Sequence, residues 1–203
     1  MIVTLQNLRA GVDAWMSRPG WPSDPHAPLY GTLAGLRADG LTQEWWTQVV
    51  NHLASWRAIR PQKKADILWN GRAHLDALSR EYDAISTACN RPSPSLGDCA
   101  WPTVEGLYHV AHSIKGSATP VFGSKLCHFI LPDMFPVIDW DLIGVSSPEY
   151  RPYWQLCRQE WSACPNQSEL IEEVSPRVAG EYAPVFPWAT KITELCIAGD
   201  KAV

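Results

Sequence analysis

The sequence predicts an all-α fold. Apolar residues recur at steps of three and four along most of the chain, as in Trp46, Val49, Val50, Leu53 and Trp56. Segments rich in proline and glycine, at 17–28 and 90–102, cut these runs into helix-length pieces. The strict alternation of a half-buried strand is absent, and the nearest approach to it, FPVI at 135–138, is short enough for extended loop.

Taken in order, residues 3–17 form a helix through Leu5, Leu8, Val12 and Trp15. Four prolines make 17–28 a loop, long enough to suggest a role beyond connection. A short helix around 29–38 ends at Gly40, and Thr42 is a good N-cap for the Trp46–Trp56 helix, which Pro61 breaks. One long helix is expected over 63–88, with Leu68, Leu75, Leu78, Tyr82 and Ile85 on one face. The loop at 90–102 is the best boundary between two lobes of a single domain spanning 1–203. Helices follow at 103–115 and around Leu126, Phe129 and Ile130, the second stopped by Pro132. Pro148 suits the first turn of a helix reaching Cys164. Two more are expected at 167–178 and 187–198.

Composition narrows the function. With 203 residues, 46% hydrophobic and 19% charged, the chain has enough apolar side chain for a real core. Eleven tryptophans is a high count; most are expected in the core and two or three to line a site. The net charge of −4 argues against a non-specific nucleic-acid coat but allows an enzyme with a local basic groove. No stretch approaches the ~20 apolar residues of a membrane span, and the N-terminal residues do not read as a signal peptide, so a cytoplasmic monomer is expected. The six cysteines form no Cys-x-x-Cys pair and are expected to be free, mostly buried thiols. No cofactor is expected.

The chemistry concentrates in 115–141, KGSATPVFGSKLCHFILPDMFPVIDWD, where a tight turn, a short helix and an apolar segment lead to Asp139. Asp139 has two readings: an N-cap of the DLIG segment, or a reacting carboxylate. Glu105, His109 and His112 fall on one face of the preceding helix and suit either polar contacts or a metal ion. Arg57, Arg60, Lys63, Lys64 and Arg72 gather near Pro61 as a solvated face or a DNA contact, and Arg151, Tyr153 and Trp154 raise the same question after Asp139.

EGLYHVAHSIK, GSATPVFG, SKLCHFILP and FPVID together resemble the helix-hairpin-helix DNA glycosylases over about 40 residues. That resemblance implies an all-α bundle of two helical lobes with the site in the cleft between them. It implies that the backbone of Ser117, Ala118 and Thr119, where the family writes Leu-Pro-Gly-Val-Gly, clasps a DNA phosphate. Gly123 would be the close helix contact and Asp139 the carboxylate facing the sugar. Lys125 has two alignments: matching Gly-x-Lys makes it the strand-cutting amine, whereas counting back from Asp139 puts Val121 at that position and leaves Lys125 as a phosphate contact or solvated charge. The count is preferred, and with it a monofunctional enzyme that leaves an abasic site.

A base must leave the duplex to be cut, so an aromatic pocket is required, with His112, Trp140, Trp101 and Tyr30 as its candidates. The expected partner is double-stranded DNA carrying a modified base, and the expected role base excision. Defence against phage DNA with glucosylated hydroxymethylcytosine follows only by analogy with compact defence glycosylases. The alternatives are a non-catalytic helical DNA-binding or protein-interaction module and, on Glu105, His109 and His112, a metal-dependent hydrolase.

Overall fold

The computed structural model describes residues 1–17, 27–116, 120–138 and 149–202. These residues form ten α-helices and two short 3-10 helices, with no strand among them. The all-α expectation holds. None of the described helices is long and apolar enough to cross a membrane.

Helix α1 (Leu5–Met16) starts at Thr4, whose hydroxyl accepts from Asn7 N at 3.2 Å. Helix α2 (Ala27–Ala38) begins two residues before the sequence expectation, because Ala27 is itself buried in the core. Helix α3 (Gln43–Ser55) is capped by Thr42, which accepts from Trp45 N at 3.2 Å. Its stripe Trp46, Val49, Val50 and Leu53 is fully buried, as the periodicity predicts.

The single helix expected over 63–88 is two. A 3-10 turn (Pro61–Lys63) leads into α4 (Lys64–Arg72), and α5 runs from Leu75 to Ala88. The break follows Asn70 and Gly71, where Ala73 N and His74 N turn back to Asn70 O and Gly71 O. A Cβ on Gly71 would come within 1.9 Å of the Trp46 ring, whose Nε1 donates to Leu68 O at 3.0 Å. The indole of α3 thus presses into α4 near its end, a contact from 25 residues upstream.

Helix α6 (Trp101–Lys115) starts two residues before Thr103, with Pro102 in its first turn. Helix α7 (Val121–Ile130) ends ahead of Pro132. Helix α8 (Tyr150–Ala163) reaches its C-cap at Cys164; Pro148 and most of the 17–28 loop lie outside the described residues. Helix α9 (Gln167–Val178) matches expectation, and α10 (Trp188–Ala202) runs beyond residue 198.

One hydrophobic core draws side chains from all ten helices, and Leu96 of the 90–100 loop joins it. Cys127, Cys157, Cys164 and Cys196 are buried free thiols; Cys89 and Cys99 are half-buried, with their Sγ atoms 2.9 Å apart.

Helices α1 and α10 pack backbone to backbone. A Cβ on Gly11 would fall 1.8 Å from Leu195 O, and one on Gly199 1.8 Å from Asn7 O. Neither obstacle is a side chain that can rotate away, so the helices would have to separate. Gly11→Ala is expected to cost about 3 kcal/mol or more, at or beyond the upper end of ordinary overpacking, measured from urea denaturation midpoints.

Candidate functional site

Helices α6 and α7 lie side by side, joined through residues 116–120. Their contact is close because position 123 has no side chain. A Cβ there would sit 3.1 Å from Tyr108 Cε2 and 3.2 Å from His112 Cβ. Gly123 and His112, both singled out in the sequence, therefore meet directly. Tyr108 stacks on His112 at 5.6 Å and on Tyr150 at 4.5 Å, and Trp101 packs 5.7 Å from Tyr108. His112 and Trp101 thus belong to one aromatic row. Trp101 also lines an open groove of about 670 Å³ with Pro102, Trp154, Gln155 and Arg158, a groove that His112, Gly123, Lys125 and Tyr30 do not line.

The segment that follows α7 has no regular secondary structure through Pro136, Val137 and Ile138. No strand is paired with it among the described residues, so its polar groups need other partners. Side chains supply them. Trp154 Nε1 donates to Met134 O at 2.9 Å, Tyr150 OH to Pro136 O at 2.8 Å and Tyr153 OH to Val137 O at 3.0 Å. His128 Nδ1 lies 2.9 Å from Phe135 O. Glu194 accepts from Val137 N at 2.5 Å, and Ser124 Oγ from Ile138 N at 3.4 Å. Met134 N and Phe135 N turn back to Leu131 O. Burial pushes both phenols well above their ordinary pKa, so each stays a hydroxyl donor.

The upstream end of the segment is tied as well. Asp133 Oδ1 accepts from Ala189 N at 2.7 Å, in the first turn of α10, and Thr190 Oγ1 donates to Pro132 O at 2.8 Å. Burial raises the Asp133 carboxyl above the usual carboxylate range, against hydrogen bonds from Ser95 and Ala189 N. Ile138, the last described residue of the segment, is therefore held between α7, α8 and α10.

Lys125 and Lys191 are buried at 8% and 7% exposure, and both Nζ atoms lie over the Trp56 ring, 4.6 and 5.5 Å from its centroid. Lys125 Nζ donates to Trp56 O at 3.0 Å, and Lys191 Nζ pairs with Glu194 at 3.2 Å. Tyr30 is 2% exposed on α2, with its OH 2.9 Å from His128 Nε2. It touches α7 through His128 rather than through the Gly123–His112 contact.

Ser117, Ala118, Thr119, Asp139 and Trp140 lie outside the described residues. Tyr153 and Trp154, weighed as DNA contacts, turn inward and spend their donors on the segment, while Arg151 is exposed. Among the described residues no three His, Cys, Asp or Glu side chains converge into a set that could hold a metal ion.

The sequence reading missed Lys191, Glu194, Tyr150 and the second role of Trp56. Two signals could have found them. Tyr150, Tyr153 and Trp154 follow the FPVID segment at spacings of three and four. Lys191 and Glu194 sit three apart in a helix whose other faces are apolar.

Tyr153→Phe leaves Val137 O buried without its donor. The expected cost is about 1–3 kcal/mol, measured by denaturant titration, with the helical circular-dichroism spectrum unchanged.

The His112 Nδ1 atom is buried with no hydrogen-bond partner among the described residues. Burial, and then the charge of His109, depress the His112 pKa, and burial does the same for His52. In the window between the depressed folded value and the ordinary value of about 6.5 the unfolded chain binds more protons. Stability is therefore lost as pH falls through about 6.5. The urea midpoint is expected to drop between about pH 7.5 and 5.5, and to drop less in His112→Gln.

No family model, curated protein or solved structure matches the chain.

Proposed function

We propose that the chain is a monofunctional DNA N-glycosylase of the helix-hairpin-helix kind. It would hydrolyse the N-glycosidic bond of a modified or damaged base flipped out of duplex DNA and leave an abasic site. The observation that carries this reading is the side-chain clamp on residues 134–138, which ends one residue before Asp139.

Breaking an N-glycosidic bond builds positive charge on the sugar. A carboxylate stabilises that charge best when it is held in place before the reaction, with no reorganisation left to do. A segment whose backbone is fixed by three helices is a suitable mount for such an acid. Gly123 lets α6 and α7 approach, so that the backbone of Ser117–Thr119 clasps a phosphate, and the two-lobed cleft receives the base. His112, Trp101 and Trp140 are its proposed aromatic surroundings, without Tyr30, which is buried against His128. Excision of hypermodified cytosine from phage DNA remains the substrate class to try first.

The test incubates the protein with phage DNAs carrying natural base modifications, beside plain DNA, and detects abasic sites with an aldehyde-reactive probe. Wild type is expected to form them on at least one modified DNA, and Asp139→Asn to be slower by about 10²–10³-fold. Borohydride is expected to trap no covalent adduct, because a monofunctional enzyme makes no Schiff base through Lys125. Salt-sensitive binding with no abasic product on any DNA would instead mark a non-catalytic binding module.

A further inference from the structure

Helix α3 ends in a Schellman motif: Ala58 N donates to Leu53 O at 2.9 Å and Arg57 N to Ala54 O at 3.1 Å. The left-handed position of this motif is usually glycine. Here it is Arg57, at φ 56°. The other described residues at positive φ are Gly40, Asn90, Gly116 and Gly180, types that enter this region readily. Packing does not explain the exception, because Arg57 is exposed. Backbone strain held without a gain inside the fold concentrates at binding sites.

The turn that carries Arg57 is stitched to both helices flanking 116–120. Lys115, the last residue of α6, donates to Ala58 O at 2.8 Å, and Lys125 of α7 donates to Trp56 O at 3.0 Å. Buried Ala58 and Ile59 anchor the turn from below. The start of the strap 57–64 therefore lies against the α6–α7 pair, with Ala58 bonded to Lys115. Burial, and after it the charge of Arg60, hold the Lys115 ammonium below the usual lysine value, which places Arg60 near Lys115. Among the described residues Arg57, Arg60 and Lys64 form no ion pair, and Lys63 shares an exposed one with Asp66 at 3.1 Å. A protein of net charge −4 thus carries four cations within the eight residues of the strap, with Lys115 bonded to the same strap, and a bound anion would relieve their mutual repulsion.

We propose that the strap Arg57–Lys64, with Lys115, grips the phosphate backbone of duplex DNA beside the α6–α7 hairpin, with Arg57 as its leading contact. The inference rests on the glycosylase reading for the identity of the partner. A guanidinium held at a fixed backbone position can make two parallel bonds to one phosphate. Such contacts set orientation on the duplex and carry no sequence preference.

The test is equilibrium binding of the full chain to a short unmodified duplex between about 50 and 200 mM salt. Arg57→Gly suits it because glycine keeps the turn and removes the charge. Its Tm is expected to match or exceed wild type, which shows that the fold is retained. Its slope of log K against log salt is expected to shrink by about 0.9, with affinity lower by roughly tenfold near 0.1 M salt. Arg60→Gln is expected to add a similar loss. Lys201→Gln, at the far end of α10 from Lys191 and about 15 Å along the helix from it, is expected to bind as wild type.

An unchanged slope in Arg57→Gly overturns the proposal, as does an equal loss in Lys201→Gln. The two readings fail separately. Abasic-site formation with an unchanged slope removes the strap and keeps the glycosylase. A reduced slope in a protein that never forms an abasic site does the reverse.

Discussion

A stretch of backbone outside any helix, with no strand beside it, must find its hydrogen-bond partners among side chains, and the core of this protein is arranged to provide them. Residues 134–138 draw on Ser124 and His128 of α7, Tyr150, Tyr153 and Trp154 of α8, and Glu194 of α10. Each such bond is worth about 1 kcal/mol net, yet each buried group left unpaired costs about 1–3 kcal/mol. The arrangement is therefore close to all-or-none. With the three helices docked, every one of these groups is paired; with α8 displaced, the carbonyls of Met134, Pro136 and Val137 lose their donors together.

Helix α7 depends on the same surroundings. It has ten residues, fewer than the ~12–15 an isolated helix needs to be even marginal in water. Every residue from Phe122 to Ile130 is buried, so packing rather than propensity makes it helical. Its C-terminal carbonyls are met by the buried guanidinium of Arg37, which donates to Phe129 O and Ile130 O and complements the negative end of the helix. Lys125 and Lys191 are accommodated in the core by a carbonyl, a carboxylate and the face of Trp56, which replace part of the water each has lost.

Where local pattern and tertiary contact agree, the sequence is readable. The stripe of α3 and its Thr42 cap follow from spacing and side-chain chemistry alone, as does the end of α7 before Pro132. The split between α4 and α5 does not, because a lone glycine in a periodic run is tolerated and the Trp46 ring that meets it is remote in sequence. Tyr153 and Trp154 were assignable to a face but not to what that face meets, so donors spent on the segment read equally well as DNA contacts. Lys191 and Glu194 were illegible for a related reason: charge on a helix ordinarily marks the solvent side, and here it marks a polar patch inside the core. Of the site residues, Gly123 was expected as a close helix contact, but that it meets His112 was not legible, because the two lie on separate helices eleven residues apart.

The departures from local rules are neighbours. Arg57 occupies a glycine position; the carbonyl before it is taken by Lys125 and the carbonyl after it by Lys115. Ser124, next to Lys125 in α7, binds Ile138 N. A short covalent and hydrogen-bonded path thus runs from an exposed cation, through Trp56 O, Lys125 and Ser124, to the end of the clamped segment. Coupling of the allosteric kind would require an element with two arrangements, and a path this short and this buried offers no evidence of one. Its physical effect is alignment instead. The strap, α7 and the segment are held in one register, and with it the position from which the chain continues to residue 139.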